Sequence, residues 1–171
     1  MKKVSLILKV LVSALLLYAL SCTSTVRFSR LDGGAASYRE GYTPNYVVTD
    51  SASIVDCLMR HDKTPYKYGG QSSAGMDCSG LVQTVFKECN RVALPRKAEE
   101  QAEYGVRVDE KYIRGGDLVF FKINGRKVDH VGICIGNNRF IHASNTGVRT
   151  DSMIDEYYSK RFVVAKRLFY E

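Results

Sequence analysis

The chain has 171 residues, 45% of them hydrophobic, and a formal net charge of +7. Three of its 25 basic residues lie in the first 21 positions, so the remainder carries 22 basic and 18 acidic residues, a charge of +4. These charges are dispersed, and no basic stripe is interleaved with aromatic residues, which argues against nucleic acid as a partner. The weak positive balance remains compatible with an anionic polymer.

Residues 1–21 predict an export signal. Lys2 and Lys3 precede an apolar run over residues 4–20, which is the order of a cleaved leader. Lys9 interrupts the run, whereas a membrane-spanning helix needs about 20 predominantly apolar residues. We therefore expect the leader to be removed and the protein to be exported to the cell envelope.

The segment that follows the leader predicts a tether. Ala19-Leu20-Ser21-Cys22 resembles the lipobox of bacterial lipoproteins, in which the cysteine becomes the first mature residue and receives lipid. Residues 22–46 are rich in Ser, Thr, Gly and Arg and have no sustained apolar period, as in a flexible linker. Lipidation of Cys22 would anchor the protein to a membrane, facing the periplasm or cell wall. Ordinary secretion, with no role for Cys22, is the alternative.

Residues 47–171 predict one compact domain, because they hold most of the aromatic and apolar runs and contain no internal repeat. Apolar residues at helical spacing indicate a first helix, and irregular chain rich in Gly leads to a second. A third, shorter helix ends at Gly105, a typical C-cap residue. The predicted helices are one through Ile54, Val55, Leu58 and Met59, one that begins at Cys78, and one over residues 97–104.

Four short runs rich in β-branched and aromatic residues then predict strands, separated by turn sequences. We expect them to form an antiparallel meander. Helices first and strands afterwards indicate an α+β fold with the helices packed on one face of the sheet. The predicted strands cover residues 118–122, 128–135, 139–144 and 162–168.

Cys78 is the candidate nucleophile. It heads the second predicted helix, where the partial positive charge of unpaired amides favours a thiolate. Gly75 and Gly80 on either side suggest space kept for a ligand. If the strands that carry His130 and His142 pair even with even positions, both imidazoles emerge on one sheet face. His130 would then act as general base and acid, and His142 would accept its hydrogen bond and orient it.

The other cysteines predict no disulfide framework. With Cys22 and Cys78 set aside, Cys57, Cys89 and Cys134 form an odd number, and each lies in an apolar stretch. We interpret all three as small buried side chains.

Several motifs, taken together and in order, resemble the NlpC/P60 family of cell-wall peptidases. The similarity extends over residues 54–168, nearly the whole predicted domain. It rests on Tyr66-Lys67-Tyr68-Gly69-Gly70, Gly75-Met76-Asp77-Cys78-Ser79-Gly80-Leu81-Val82, Leu94-Pro95-Arg96 with Gln101, Gly116-Asp117-Leu118-Val119-Phe120-Phe121, Asp129-His130-Val131-Gly132-Ile133 and Phe140-Ile141-His142-Ala143-Ser144.

This resemblance implies a papain-like α+β fold and hydrolysis of amide bonds in peptidoglycan stem peptides, without metal or cofactor, by what we expect to be a monomer. Family roles fall on Cys78, His130 and His142 as argued above. Tyr66 would line the site and help to position the substrate or oxyanion. Asp77 and Ser79 would grip a free stem amine, and Arg96 would face a stem carboxylate; Asp77 is equally suited to capping the second helix.

Three competing functions remain at this stage. The first is a cell-wall-binding lipoprotein of the same fold without catalysis. The second is a zinc site made from Cys78, His130, His142 and Cys134, whose side chains suit that metal. The third is acyl transfer through a thioester, as in relatives that act on lipid substrates.

Overall fold

The computed structural model describes residues 51–168. The predicted leader (1–21), the tether (22–46) with Cys22, and residues 47–50 and 169–171 of the predicted domain lie outside the described residues. Within residues 51–168, no helix is long and apolar enough to cross a membrane.

Two longer helices form where the sequence predicts them. Helix α1 spans Ser51–Met59 and buries Ile54 and Leu58 completely, while Met59 is 51% exposed. Helix α2 spans Cys78–Asn90. Two single-turn helices follow, α3 at Ala98–Gln101 and α4 at Glu156–Ser159. The first of these is shorter than the predicted 97–104 segment, and the second was not predicted.

The loop before α2 packs closely on the start of that helix. It contains a two-stranded hairpin, β1 (Gln71–Ser72) and β2 (Gly75–Met76). A Cβ atom on Gly80 would lie 2.2 Å from the carbonyl oxygen of Gly70, and one on Gly75 would lie 2.5 Å from Cβ of Lys67. The interpretation of Gly75 and Gly80 as space for a ligand is therefore wrong, since backbone and side chains already fill that space.

The main sheet has six antiparallel strands in the order β3-β8-β4-β5-β6-β7. Strands β4 to β7 form the predicted kind of meander, but β8 returns across the sheet and pairs between β3 and β4. The prediction of a simple meander is therefore wrong for the last strand, because β3 and β7 were not predicted as strands. The strands are β3 (Val106–Val108), β4 (Leu118–Phe121), β5 (His130–Gly136), β6 (Arg139–Ser144), β7 (Gly147–Ser152) and β8 (Phe162–Arg167).

The two faces of this sheet bury different residues. One face packs against α1 and α2 through a core that includes Phe120, Val131 and Ile141. The opposite face carries a second apolar cluster that includes Phe121 and Phe140. Side chains alternate between the two faces along each strand. His130 and His142 therefore lie on the same face as Cys134 and Phe140.

A disulfide joins α1 to α2. Cys57 and Cys89 are bonded, with their Cα atoms 6.4 Å apart, whereas Cys134 is a buried free thiol. The prediction of three unpaired cysteines is therefore wrong for Cys57 and Cys89. An odd count cannot reveal that the buried faces of two helices bring one pair together and leave Cys134 on the sheet.

Candidate active site

The thiol of Cys78 lies at the N-terminus of α2, beside the first residues of β5. The start of the helix is fixed by Asp77, whose Oδ1 accepts a hydrogen bond from the Gly80 amide at 2.7 Å. The Cys78 Sγ is 4.0 Å from the carbonyl oxygen of Asp129, and the amide of Val131 also interacts with it. Because these two residues flank His130, the thiol sits against the backbone that carries this histidine.

The two histidines are in direct contact on one sheet face. Cys134 of β5 pairs with Phe140 of β6, which is the even-with-even register that brings His130 and His142 together. Nε2 of His130 is 2.8 Å from Nδ1 of His142. Gly132 follows His130 on the same face of β5. A Cβ atom there would come within 2.5 Å of the Phe140 ring, so this position has no room for a side chain.

Asp151 and Tyr158 extend this pair, and neither was predicted from the sequence. Asp151 Oδ2 is 3.0 Å from Nε2 of His142, and the hydroxyl of Tyr158 donates to the same oxygen at 2.7 Å. Arg149 donates to the other carboxylate oxygen. The available signal was the spacing of Arg149 and Asp151, which share one face of a strand that pairs Arg149 with His142.

Burial shapes the pKa of both histidines. Burial lowers the pKa of His130 to about 3, and the nearby His142 contributes a smaller decrease. The negative charges of Asp129 and Asp151 oppose this change more weakly. Burial also lowers the pKa of His142, which is 1% exposed, although its hydrogen bond to Asp151 opposes the change. The Phe140 ring stacks on His142 with centroids 4.8 Å apart. Both imidazoles are therefore neutral near pH 7.

The thiol does not carry the lowered pKa expected from its place at a helix start. Burial raises the pKa of Cys78; the Val131 amide opposes this increase, and the negative charge of Asp77 adds to it. The helix N-terminus is outweighed because the thiol is withdrawn from water and lies next to a carboxylate. A thiol that is neutral at rest requires a general base at the moment of attack.

The expected substrate-binding residues Asp77, Ser79 and Arg96 form one polar cluster next to Cys78. Arg96 donates to Asp77 through two nitrogens, at 2.9 and 2.6 Å, and to the Ser79 hydroxyl at 2.8 Å. Burial raises the pKa of Asp77, but the hydrogen bond from Arg96 and those from Gly80 and Gly69 outweigh it, so the pKa is lowered. Asp77 therefore caps α2 and pairs with Arg96 at the same time.

Tyr66 lies at the mouth of the same site. It forms an isolated bridge with Met76, just before the nucleophile, and is 37% exposed. Burial, then the charges of Cys78 and Asp77, raise the pKa of its hydroxyl. Tyr66 thus keeps its proton at neutral pH and can donate a hydrogen bond.

The four residues of the alternative zinc site are not arranged around one point. The imidazoles of His130 and His142 are bonded to each other, and Cys134 belongs to the apolar cluster with Phe121 and Phe140. Across residues 51–168, no group of three or more His, Cys, Asp or Glu side chains could hold a metal ion.

A cysteine at a helix start, set against a histidine pair on an antiparallel sheet, defines a papain-like cysteine peptidase. The profile of the NlpC/P60 family matches residues 63–167. The chain therefore belongs to the NlpC/P60 family, as its motifs predicted.

Among similar proteins is the probable endopeptidase NlpC of Escherichia coli, 38% identical over 77% of this chain and 90% of that protein. The murein DD-endopeptidase/LD-carboxypeptidase MepS of Escherichia coli is 46% identical over 60% of this chain, which spans only 55% of MepS. The bifunctional muramidase/DL-endopeptidase CwlT of Bacillus subtilis is 34% identical over 68% of this chain and 36% of that protein.

Solved structures of the family share the fold. An NlpC/P60 protein from Bacillus cereus superposes with a TM-score of 0.67 at 28% identity, covering 72% of this chain and 41% of that one. The NlpC/P60 domain of the peptidoglycan hydrolase SagA gives a TM-score of 0.62 at 26% identity over 70% of this chain and 99% of that one. The predicted α+β, papain-like NlpC/P60 fold is confirmed.

Proposed function

We propose that this protein is a cysteine endopeptidase that hydrolyses amide bonds in peptidoglycan stem peptides or their cross-links. The observation that carries the proposal is the Cys78 thiol lying against the backbone on both sides of His130, whose ring is bonded to His142. The murein DD-endopeptidase MepS and the muramidase/DL-endopeptidase CwlT support the substrate class, and the probable endopeptidase NlpC supports the reaction type. Because those names include both DD- and DL-endopeptidases, they do not select one bond.

In the proposed reaction His130 takes the proton of the Cys78 thiol as sulfur attacks the substrate carbonyl, whose π electrons move to oxygen. Collapse of this intermediate breaks the C–N bond, and His130 returns its proton to the leaving amine. Water, deprotonated by His130, then hydrolyses the thioester and frees the Cys78 sulfur, which recovers its proton. His142 holds the His130 ring in position throughout.

Donors for the developing oxyanion come from the start of α2 and from the loop before it. The amide of Cys78 lies at a helix N-terminus, where N–H groups have no intrahelical acceptor. The protonated Tyr66 hydroxyl supplies a second donor. Removing one such donor typically reduces kcat by about 10²–10³-fold, so Tyr66→Phe tests this role.

Asp77, Ser79 and Arg96 form the proposed recognition surface for the stem peptide. The paired Asp77 carboxylate and Arg96 guanidinium offer an acceptor and a donor side by side, which suits a substrate end carrying both an amine and a carboxylate. Because each already satisfies the other, a substrate must compete with this ion pair. Arg96→Lys should therefore change KM more than kcat.

The working location of the enzyme is proposed to be the cell envelope, with the chain as a monomer. In this scheme residues 1–21 are removed, lipid on Cys22 anchors the protein, residues 22–46 give reach, and residues 47–171 form the catalytic domain. Stable anchoring requires more than one acyl chain or a second membrane signal. Cys22→Ser should release the protein from membranes into the soluble envelope fraction; unchanged fractionation would exclude this anchor.

The test of activity compares peptidoglycan digests made with the wild-type protein and with Cys78→Ala. Mass spectrometry of the products should show new stem-peptide termini only with the wild type, and it identifies the cleaved bond. Cys134→Ala is the matched control, because Cys134 is also a free thiol but lies in the second apolar cluster. Identical products from wild type and Cys78→Ala would instead favour the non-catalytic wall-binding alternative.

A further inference from the structure

The hydrogen-bond network behind His142 contains a carboxylate that the Cys-His-His arrangement does not require. Asp151 lies on β7, diagonally across from His142 on β6, so both side chains project from the same sheet face. Its Oδ2 contacts Nε2 of His142 at 3.0 Å. The carboxylate side chain is 10% exposed, which makes it part of the buried network and not a surface charge.

Two acceptors surround Nε2 of His142. Asp151 Oδ2 is one of them, since an ionised carboxylate can only accept. Tyr158 gives its single hydroxyl proton to Asp151 at 2.7 Å, so its oxygen, 3.3 Å from Nε2 of His142, is also an acceptor there. Both contacts require a proton on Nε2, and Nδ1 of a neutral His142 is then unprotonated.

The position of the proton on His142 determines the tautomer of His130. Because Nδ1 of His142 accepts, Nε2 of His130 must donate across the 2.8 Å contact between them. The neutral His130 ring then carries no proton on Nδ1. That nitrogen is the one left to receive the proton of Cys78.

We propose that Asp151 is a positioning residue that sets the tautomers of His142 and His130, so that Nδ1 of His130 is the base for Cys78. The proposal rests on the proposed function for its kinetic consequence, but the tautomers themselves do not depend on it. As His130 becomes protonated during the reaction, Asp151 also supplies a negative charge at the far end of the chain of rings.

Arg149 is another partner of Asp151, but it does not contact the carboxylate oxygen that faces His142. Its guanidinium contacts Oδ1 and its side chain is 52% exposed, so it pairs with the outer side of the carboxylate. The inner oxygen, Oδ2, is left for His142 and Tyr158. Arg149 therefore orients the carboxylate, and Oδ2 selects the proton position.

The test replaces Asp151 by Asn, which keeps the shape and removes the charge. With the Arg149 guanidinium donating to the amide oxygen, the amide nitrogen faces His142 and donates to Nε2, so the proton of His142 moves to Nδ1. His130 is then driven to the Nδ1-protonated form, which cannot accept the thiol proton. We expect kcat to fall by about 10²-fold or more, with KM little changed.

Two read-outs do not require peptidoglycan cleavage. Side-chain ¹⁵N chemical shifts should show both histidines protonated on Nε2 in the wild type and on Nδ1 in Asp151→Asn. Alkylation of Cys78 by iodoacetamide should also be slower in the variant. These results would support the inference even if the wild type failed to cleave peptidoglycan, which would overturn only the proposed function.

Asp155→Asn is the matched control, because Asp155 is exposed and makes no side-chain cap contact; it should leave every read-out unchanged. Tyr158→Phe keeps the carboxylate and should keep the wild-type tautomers. A wild-type His142 protonated on Nδ1 would overturn the inference without any variant. Unchanged tautomers or an unchanged kcat in a folded Asp151→Asn protein would overturn it as well.

Discussion

The two halves of the candidate site are built in different ways. The thiol half is a helix terminus, where the buried Asp77 caps α2 and pairs with Arg96, whose side chain is 35% exposed. The histidine half is a line of polar side chains on strands β5, β6 and β7, in which His142 stacks on the Phe140 ring and is 1% exposed. In the proposed mechanism the thiol half presents groups to a substrate, while the histidine half sets the positions of the protons.

Burial is common to both halves, and it keeps the Cys78 thiol and the His130 imidazole neutral at rest. Burial lowers the pKa of His130 and raises that of Cys78, so both changes favour thiol and imidazole over an ion pair. Attack and proton transfer must then occur together. The histidine half should consequently be sensitive to small changes in geometry, and the thiol half to changes in charge and in helix anchoring.

The largest expected effect comes from removing the base. His130→Ala should lower kcat by about 10²–10⁴-fold, the usual contribution of a general acid–base residue, without unfolding the domain. His61→Gln is the control, because His61 lies beyond the end of α1 and pairs with Glu88. Steady-state cleavage of a purified muropeptide measures both variants. Full activity in His130→Ala would remove the histidine half from the mechanism.

Removal of the Cys57–Cys89 disulfide tests whether α2, which carries Cys78, must be anchored to α1. Cys57 and Cys89 are 32 positions apart, and closing a loop of this length stabilises a protein by about 3–4 kcal/mol in the chain-entropy model. The double Ala variant should lose stability of this order in urea unfolding, yet retain activity at low temperature. A variant as stable as the wild type would show that packing between α1 and α2 suffices.

Gly132 tests how tightly the histidine half is packed. In Gly132→Ala the new methyl group would meet the Phe140 ring and crowd His142. Overpacking of this kind costs about 1–3 kcal/mol, and we expect activity to fall as the histidine contact lengthens. Circular dichroism melting and the muropeptide assay measure the two effects. Gly115→Ala is the control, because a Cβ atom there makes only ordinary contacts.

A smaller effect is expected from pH. The folded-state pKa of His130, about 3, lies below its ordinary value of 6.5, so the unfolded chain binds a proton that the folded chain excludes. Stability is therefore complete above about pH 6.5 and decreases as pH falls toward 3. The lowered pKa values of Asp77 and Asp151 add stability that is fully present at pH 5 and above and is lost only as pH falls below about 3.8, so they do not change the slope between pH 5 and 7.

Urea unfolding at pH 7.0, 6.0 and 5.0 should follow this decrease. His130→Gln should flatten the curve over the same range, because the remaining buried histidine, His142, is then the only one of the pair that titrates. Equal slopes for the wild type and His130→Gln would mean that His130 stays accessible to protons.

Local sequence signals predicted those parts of the site that depend on neighbouring residues. Asp77 before Cys78 fixed the helix start, and the two-residue period of β5 and β6 indicated that His130 and His142 share a face. Parts that depend on distant pairing were missed. Asp151 lies on β7, whose polar sequence lacks an apolar alternation, and its contact with His142 exists only because of the β6–β7 register.

The proposed mechanism assigns the bond-breaking step to the Cys78 thiol. The most direct measurement treats the protein with iodoacetamide in steps and compares the fraction of Cys78 alkylated, from peptide mapping, with the remaining rate of muropeptide hydrolysis. We predict that activity falls in proportion to Cys78 modification while Cys134 stays unmodified. Full activity in protein whose Cys78 is completely alkylated would contradict the account.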